Sequence, residues 1–94
     1  MSLAIAEDLV SRRLAACVNL IPGVESVYEW QGRLERSSEV QLIIKTTRSA
    51  YLELETRLKA LHPYKVPECL ALPVEQGSVS YLDWVKAAVT SIEG

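Results

Sequence analysis

Ninety-four residues suffice for one domain with a modest core. The chain is 49% hydrophobic and 23% charged, a globular balance that excludes a disordered chain. A net charge of −2 without a clustered basic surface argues against a nucleic-acid binder, and no apolar run approaches the ~20 residues of a membrane span.

Met1-Ser2-Leu3 and Glu93-Gly94 read as remnants of cloning, which leaves 4–92 as a single domain. Ala4 to Ala16 predicts a helix, because Ile5, Leu9, Val10 and Leu14 form an apolar stripe. Its acids, Glu7 and Asp8, precede its bases, Arg12 and Arg13, as the helix dipole favours. Cys17 to Ile21 is β-rich, and Pro22-Gly23 predicts a bend or bulge because strand character resumes at once.

Val24 to Trp30 predicts a half-buried strand. Gln31-Gly32 and the polar stretch Glu35 to Ser38 read as its hairpin connection. Glu39 to Thr46 is the return strand, apolar on both faces and therefore expected inside the sheet. Ser49 is the expected N-cap of a helix from Ala50 to Leu61, with Tyr51, Leu54, Leu58 and Leu61 on its apolar side. Glu53–Arg57 and Glu55–Lys59 have the spacing of favourable ion pairs on its wet side. His62-Pro63 ends that helix.

Pro67 to Val74 predicts a further strand, confined to an edge or ended by Pro73. Gln76-Gly77 is a turn, and Ser80 with Asp83 resembles a capping box for a last helix carrying Tyr81, Val85, Ala88 and Ile92. The order α-β-β-α-β-α is an α+β layer protein, an antiparallel sheet covered by helices. It fits ferredoxin-like topology (β-α-β-β-α-β-α in full) with the first strand missing.

Two cysteines without a CxxC spacing, together with one histidine, cannot build a Cys/His zinc site within one chain. A reduced, intracellular protein is the simpler reading of Cys17 and Cys69. No catalytic constellation or glycine-rich phosphate loop is present in the sequence.

Several spaced motifs resemble a known family. They are Arg13-Leu-Ala-Ala-Cys-Val-Asn-Leu-Ile-Pro22, Tyr28-Glu-Trp30, Lys45-Thr46, His62-Pro-Tyr64, Pro67-Glu68, Leu72-Pro-Val-Glu-Gln-Gly77 and Tyr81-Leu-Asp-Trp84. In this order they look like the CutA divalent-cation-tolerance proteins. The resemblance implies a cytoplasmic, non-enzymatic homotrimer of ferredoxin-like subunits, similar in plan to PII signalling proteins. It also implies a link to tolerance of copper and other divalent metals, and leaves room for an unidentified protein partner.

Each candidate residue has an ordinary and a functional reading. Cys17 is a small buried hydrophobe or, with copies gathered around a trimer axis, a soft ligand for Cu(II) or another divalent cation. His62 is a helix-terminus histidine or a second metal ligand. Lys45, beside Thr46, either binds an anion or pairs with a glutamate such as Glu29, Glu39 or Glu68. With Tyr28, Tyr64, Glu68 and Trp84 these two residues form a candidate ligand cleft between subunits, and the aromatics otherwise serve as packing.

Overall fold

The apolar periodicities resolve into three helices and one antiparallel ribbon in the computed structural model, which describes residues 2–61 and 69–89. Helix α1 is Ser2–Ser11, strand β1 is Cys17–Trp30 and strand β2 is Arg33–Lys45. A 3₁₀ turn, Arg48–Ala50, leads into helix α2, Tyr51–Leu61, and helix α3 is Val79–Ala88. The expected α+β class holds.

Helix α1 stops well before the Ala16 expected from its stripe. Arg13 takes a left-handed backbone, φ 61°. Its N–H donates to Val10 O at 2.9 Å, and Leu14 N–H reaches back to Leu9 O at 2.9 Å. That pair of bonds is a Schellman ending, which normally places glycine where Arg13 stands. Leu9 and Leu14, its two flanking apolar residues, are both buried in the main core. The loop is then sewn to the far end of β2: Thr46 Oγ1 donates to Leu14 O at 2.6 Å and Ala16 N–H to Lys45 O at 2.8 Å.

The ribbon is longer and more regular than the sequence suggested. β1 runs through Pro22-Gly23 with a register irregularity between Ile21 and Val24, the expected bulge. Gly23 supplies the left-handed conformation there, φ 74°. Glu35 to Ser38 is strand, not turn, and faces Tyr28 to Glu25 across the ladder. The connection narrows to Gln31-Gly32, both at positive φ (51° and 79°), the two-residue turn whose twist matches paired strands. Among the described residues β2 pairs with β1 alone, so the interior position expected for it is not observed.

Helix α2 keeps its expected bounds to within one residue, but its entry differs. Thr47 is extended and makes no capping bond, and Ser49 lies inside the 3₁₀ turn with its hydroxyl against that of Thr47 at 3.2 Å. Residues 69–78 carry no ladder, so the described part of the strand expected over Pro67 to Val74 is not one. The cap of α3 is Ser78, two positions before the serine expected, and its Oγ accepts from Tyr81 N–H at 3.2 Å. The guanidinium of Arg13 closes the other end of α3, donating to Ala87 O at 2.7 Å and Ala88 O at 3.2 Å.

The main core joins Ile5, Leu9, Leu14 and Ala15 to Leu54 and Leu58, with Val18, Leu42 and Ile44 of the ribbon packed on it. Leu9 is fully buried; that burial stabilises by about 1.5–3 kcal/mol. A smaller cluster of Ala50, Val85 and Val89, with Ala16, docks α3.

Candidate functional site

Strand alternation divides the ribbon into two faces. Leu42, Ile44 and Val18 pack on the core. Lys45 and Ile43, with their cross-strand partners Cys17 and Asn19, therefore occupy the opposite face, away from the helices. There the Lys45 ammonium donates to Asn19 Oδ1 and stands 3.9 Å from Cys17 Sγ. Among the described residues the partners of Lys45 are thus a neutral amide and a thiol, not Glu29 or Glu39. Glu39 instead accepts from Ser26, and Glu29 lies near the hairpin tip opposite Leu34.

The other described candidates are dispersed. Thr46 spends its hydroxyl on the Leu14 carbonyl. Tyr28 is on the ribbon face of Lys45 but opposite Glu35, ten positions along β2, a separation of roughly 33 Å. A cleft containing both requires more than one chain. Trp84 sits on α3 against Tyr81, ring centroids 5.6 Å apart. His62, Tyr64 and Glu68 lie outside the described residues.

Metal ligation fares no better on the same residues. Among the described residues no three His, Cys, Asp or Glu side chains converge on a point that could hold an ion. Cys17, the one described candidate ligand, has an ammonium beside it, which opposes a dication. The described residues of one chain do not fit a metal centre.

Periodicity missed a different cluster, between α1 and α2. Arg57 donates to Asp8 through Nε (2.9 Å) and Nη2 (2.8 Å), and Arg12 Nε adds contacts at 3.1 and 3.2 Å. The Arg57 hydrogen bonds, with Arg12 assisting, hold the Asp8 carboxyl down at about 2. The expected Glu53–Arg57 pair is therefore replaced, whereas Glu55–Lys59 forms at 4.0 Å. The available signal was Asp8–Arg12 spacing on one helix; nothing local pointed to Arg57. A cavity of about 460 Å³ opens beside this cluster, lined by Arg12, Leu14, Glu53, Thr56, Arg57 and Ala60.

A third group joins Tyr51, Glu55 and Cys69. The Tyr51 hydroxyl donates to Glu55 Oε2 at 3.0 Å and stands 3.7 Å from Cys69 Sγ. Hydrogen bonding to Cys69, then to Glu55, pushes the phenol up to about 12. Cys69 packs against the main core.

A helix-backed antiparallel ribbon with no complete metal set among its described residues defines a small α+β protein. The family described as CutA1 divalent ion tolerance protein matches residues 1–88. The chain is 52% identical over 82 residues to the divalent-cation tolerance protein CutA of Thermus thermophilus, covering 87% of this chain and 80% of that one. It is 50% identical over 88 residues to protein CutA of Homo sapiens, covering 94% of this chain but only 49% of the human one. The solved structure of a Thermus thermophilus divalent cation tolerance protein superposes with TM-score 0.92 at 48% identity, over 95% of this chain and 86% of that chain. This chain belongs to the CutA1 divalent ion tolerance family. One relative, from Arabidopsis thaliana, is named as chloroplastic.

Proposed function

We propose that this chain acts as a non-enzymatic homotrimer in divalent-cation tolerance. The observation that carries the assembly is the distal ribbon. Val27 and Leu34 are 62% and 72% exposed on one face, and Trp30 is 57% exposed on the other. A two-stranded ribbon is marginal in water by itself, and apolar residues on both faces need covering. A second and third copy supply that cover, and the family resemblance supplies the number three. Static light scattering tests it: the expected mass is three times 10.5 kDa, and a monomer overturns the reading.

The metal reading depends on that assembly. A single Cys17 with a lysine beside it binds a dication poorly, so Cu(II) contact draws on several copies and displaces Lys45. Titration of the assembled protein with Cu(II) and Zn(II), alongside Cys17→Ser and His62→Ala, checks this. Unchanged affinity in both variants eliminates those ligands. A cytoplasmic setting accords with the reading of Cys17 and Cys69 from their spacing as reduced thiols.

The second reading is an anionic small ligand held near Lys45 in a cleft between subunits, with the bound state passed to a protein partner as in PII-like signalling. It is favoured by one observation: Lys45 has no carboxylate partner among the described residues of its own chain. A thermal-shift screen of nucleotides and organic acids, repeated on Lys45→Ala, separates the two readings.

A further inference from the structure

The cavity between α1 and α2 shares no residue with the ribbon candidates. Glu53, Thr56, Arg57 and Ala60 reach it from one face of α2, at positions i, i+3, i+4 and i+7. Arg12 and Leu14 reach it from the end of α1 and its Schellman loop. Leu14 is buried and forms an apolar floor with Ala60.

Donors remain available there. Arg57 uses Nε and Nη2 on Asp8, and Arg12 uses Nε. A guanidinium has five N–H groups, so both retain Nη hydrogens unspent among the described residues. The Arg12 side chain is 52% exposed and Arg57 29% exposed, so these hydrogens are within reach of a solute. Glu53 has no cationic partner among the described residues, because Arg57 has turned to Asp8.

The charge balance then selects the ligand. Two guanidiniums and two carboxylates, Asp8 and Glu53, sum to zero. A polyanion such as phosphate would find Glu53 repulsive and little net attraction. A net-neutral solute carrying both signs finds a partner for each. Glu53 and Arg57 lie one helical turn apart, about 5–6 Å between Cβ atoms, a span suited to the two charged ends of one α-amino acid.

We propose that this cleft binds a zwitterionic, apolar α-amino acid. Its carboxylate meets Arg12 and Arg57, its ammonium meets Glu53, and its side chain lies over Leu14 and Ala60. A cavity of about 460 Å³ is within the range of small-molecule sites and accommodates such a ligand with some water.

Isothermal titration with L-leucine tests the site, compared with N-acetyl-L-leucine (no ammonium), L-leucinamide (no carboxylate) and inorganic phosphate. The expected result is millimolar or tighter binding of leucine, weakened about tenfold in each truncated analogue, as for loss of one charge-assisted contact. Arg12→Gln and Glu53→Gln, both exposed positions outside the core, should each weaken leucine by a similar factor while circular dichroism stays unchanged. No heat from leucine at ~10 mM overturns the proposal, as does tighter binding of phosphate or leucine affinity indifferent to both variants. None of these readouts depends on metal binding or on Lys45.

Discussion

Arg13 holds the C-terminus of α3 from the end of α1, its Nη2 2.7 Å from the Ala87 carbonyl. The last carbonyls of a helix lack intrahelical donors, and a guanidinium both satisfies them and complements the dipole. The same residue pays for this with a left-handed backbone that glycine would adopt freely. Two substitutions separate the contributions. Arg13→Ala loses the clamp and keeps the strain, with an expected cost of about 1 kcal/mol. Arg13→Gly also loses the clamp but relieves the strain, so it should be more stable than the alanine variant by about 1 kcal/mol. Urea midpoints measure both; an alanine variant equal to the parent would contradict the clamp.

Asp8 makes stability depend on acid. Its carboxyl titrates near 2 in the folded chain against an ordinary 3.8, chiefly because Arg57 hydrogen-bonds the ionised form. A depressed carboxylate stabilises above its unfolded pKa, so the contribution is complete above about pH 4. It is lost as pH falls towards 2. Asp8→Asn should therefore have a lower urea midpoint than the parent at pH 6, with the gap closing between pH 4 and 2. A gap that does not change with pH would remove the ion pair from the explanation.

Tyr51 gives the opposite end of the pH scale. Its phenol is raised from 10.0 to about 12, first by Cys69 and then by Glu55. A raised phenol favours the folded state below pH 10, and that stabilisation is lost as pH rises towards 12. Absorbance at the tyrosinate band should show one of the 4 tyrosines ionising late. Tyr51→Phe should abolish that late step, and Cys69→Ser should move it.

The exposed ribbon predicts how assembly responds to charge. Leu34 projects from the distal half of β2, remote from the core. Leu34→Glu should leave the helices intact by circular dichroism and shift the light-scattering mass towards 10.5 kDa. Trp30 emission should be blue-shifted in the assembled parent and red-shifted in this variant. An unchanged mass and spectrum would move the interface elsewhere.

The hairpin turn offers a stabilising test. Gln31 carries φ 51°, a conformation that asparagine tolerates better than glutamine. Gln31→Asn should raise the urea midpoint slightly, and Gly32→Val should lower it, because Gly32 holds φ 79°.

Much of this architecture was legible because it is written in local periods. The α2 stripe placed Leu54 and Leu58 in the core, and Pro22-Gly23 marked the bulge in β1. The errors have separate local causes. Glu35 to Ser38 is polar and so resembled a turn, but the tight Gln31-Gly32 turn sets it in register with Tyr28 to Glu25 as strand. Ser80 resembled a cap, yet Ser78 lies one step outside the helix where its hydroxyl can reach Tyr81 N–H. Arg13 resembled a helical residue because no glycine marks the stop.

The candidate site was less legible than the fold. Lys45 was recognised as a charge requiring a partner, but the partner follows from strand register, which sets Lys45 opposite Cys17 and on the same face as Asn19. Register depends on the turn at Gln31-Gly32 and on the bulge together, so an offset of one residue would have turned Lys45 to the core face.

By itself the sequence determined the helix stripes, the hairpin, the α+β class and the family, because each rests on side-chain periodicity or on contiguous motifs. Only the tertiary structure decided that Arg57 leaves Glu53 for Asp8, that Arg13 closes α3, and that Tyr28 and Lys45 stand roughly 33 Å apart on one face. Those outcomes are choices between partners far apart in the chain. Local propensity is indifferent to them; packing of α1 against α2 and the length of the ribbon select among them.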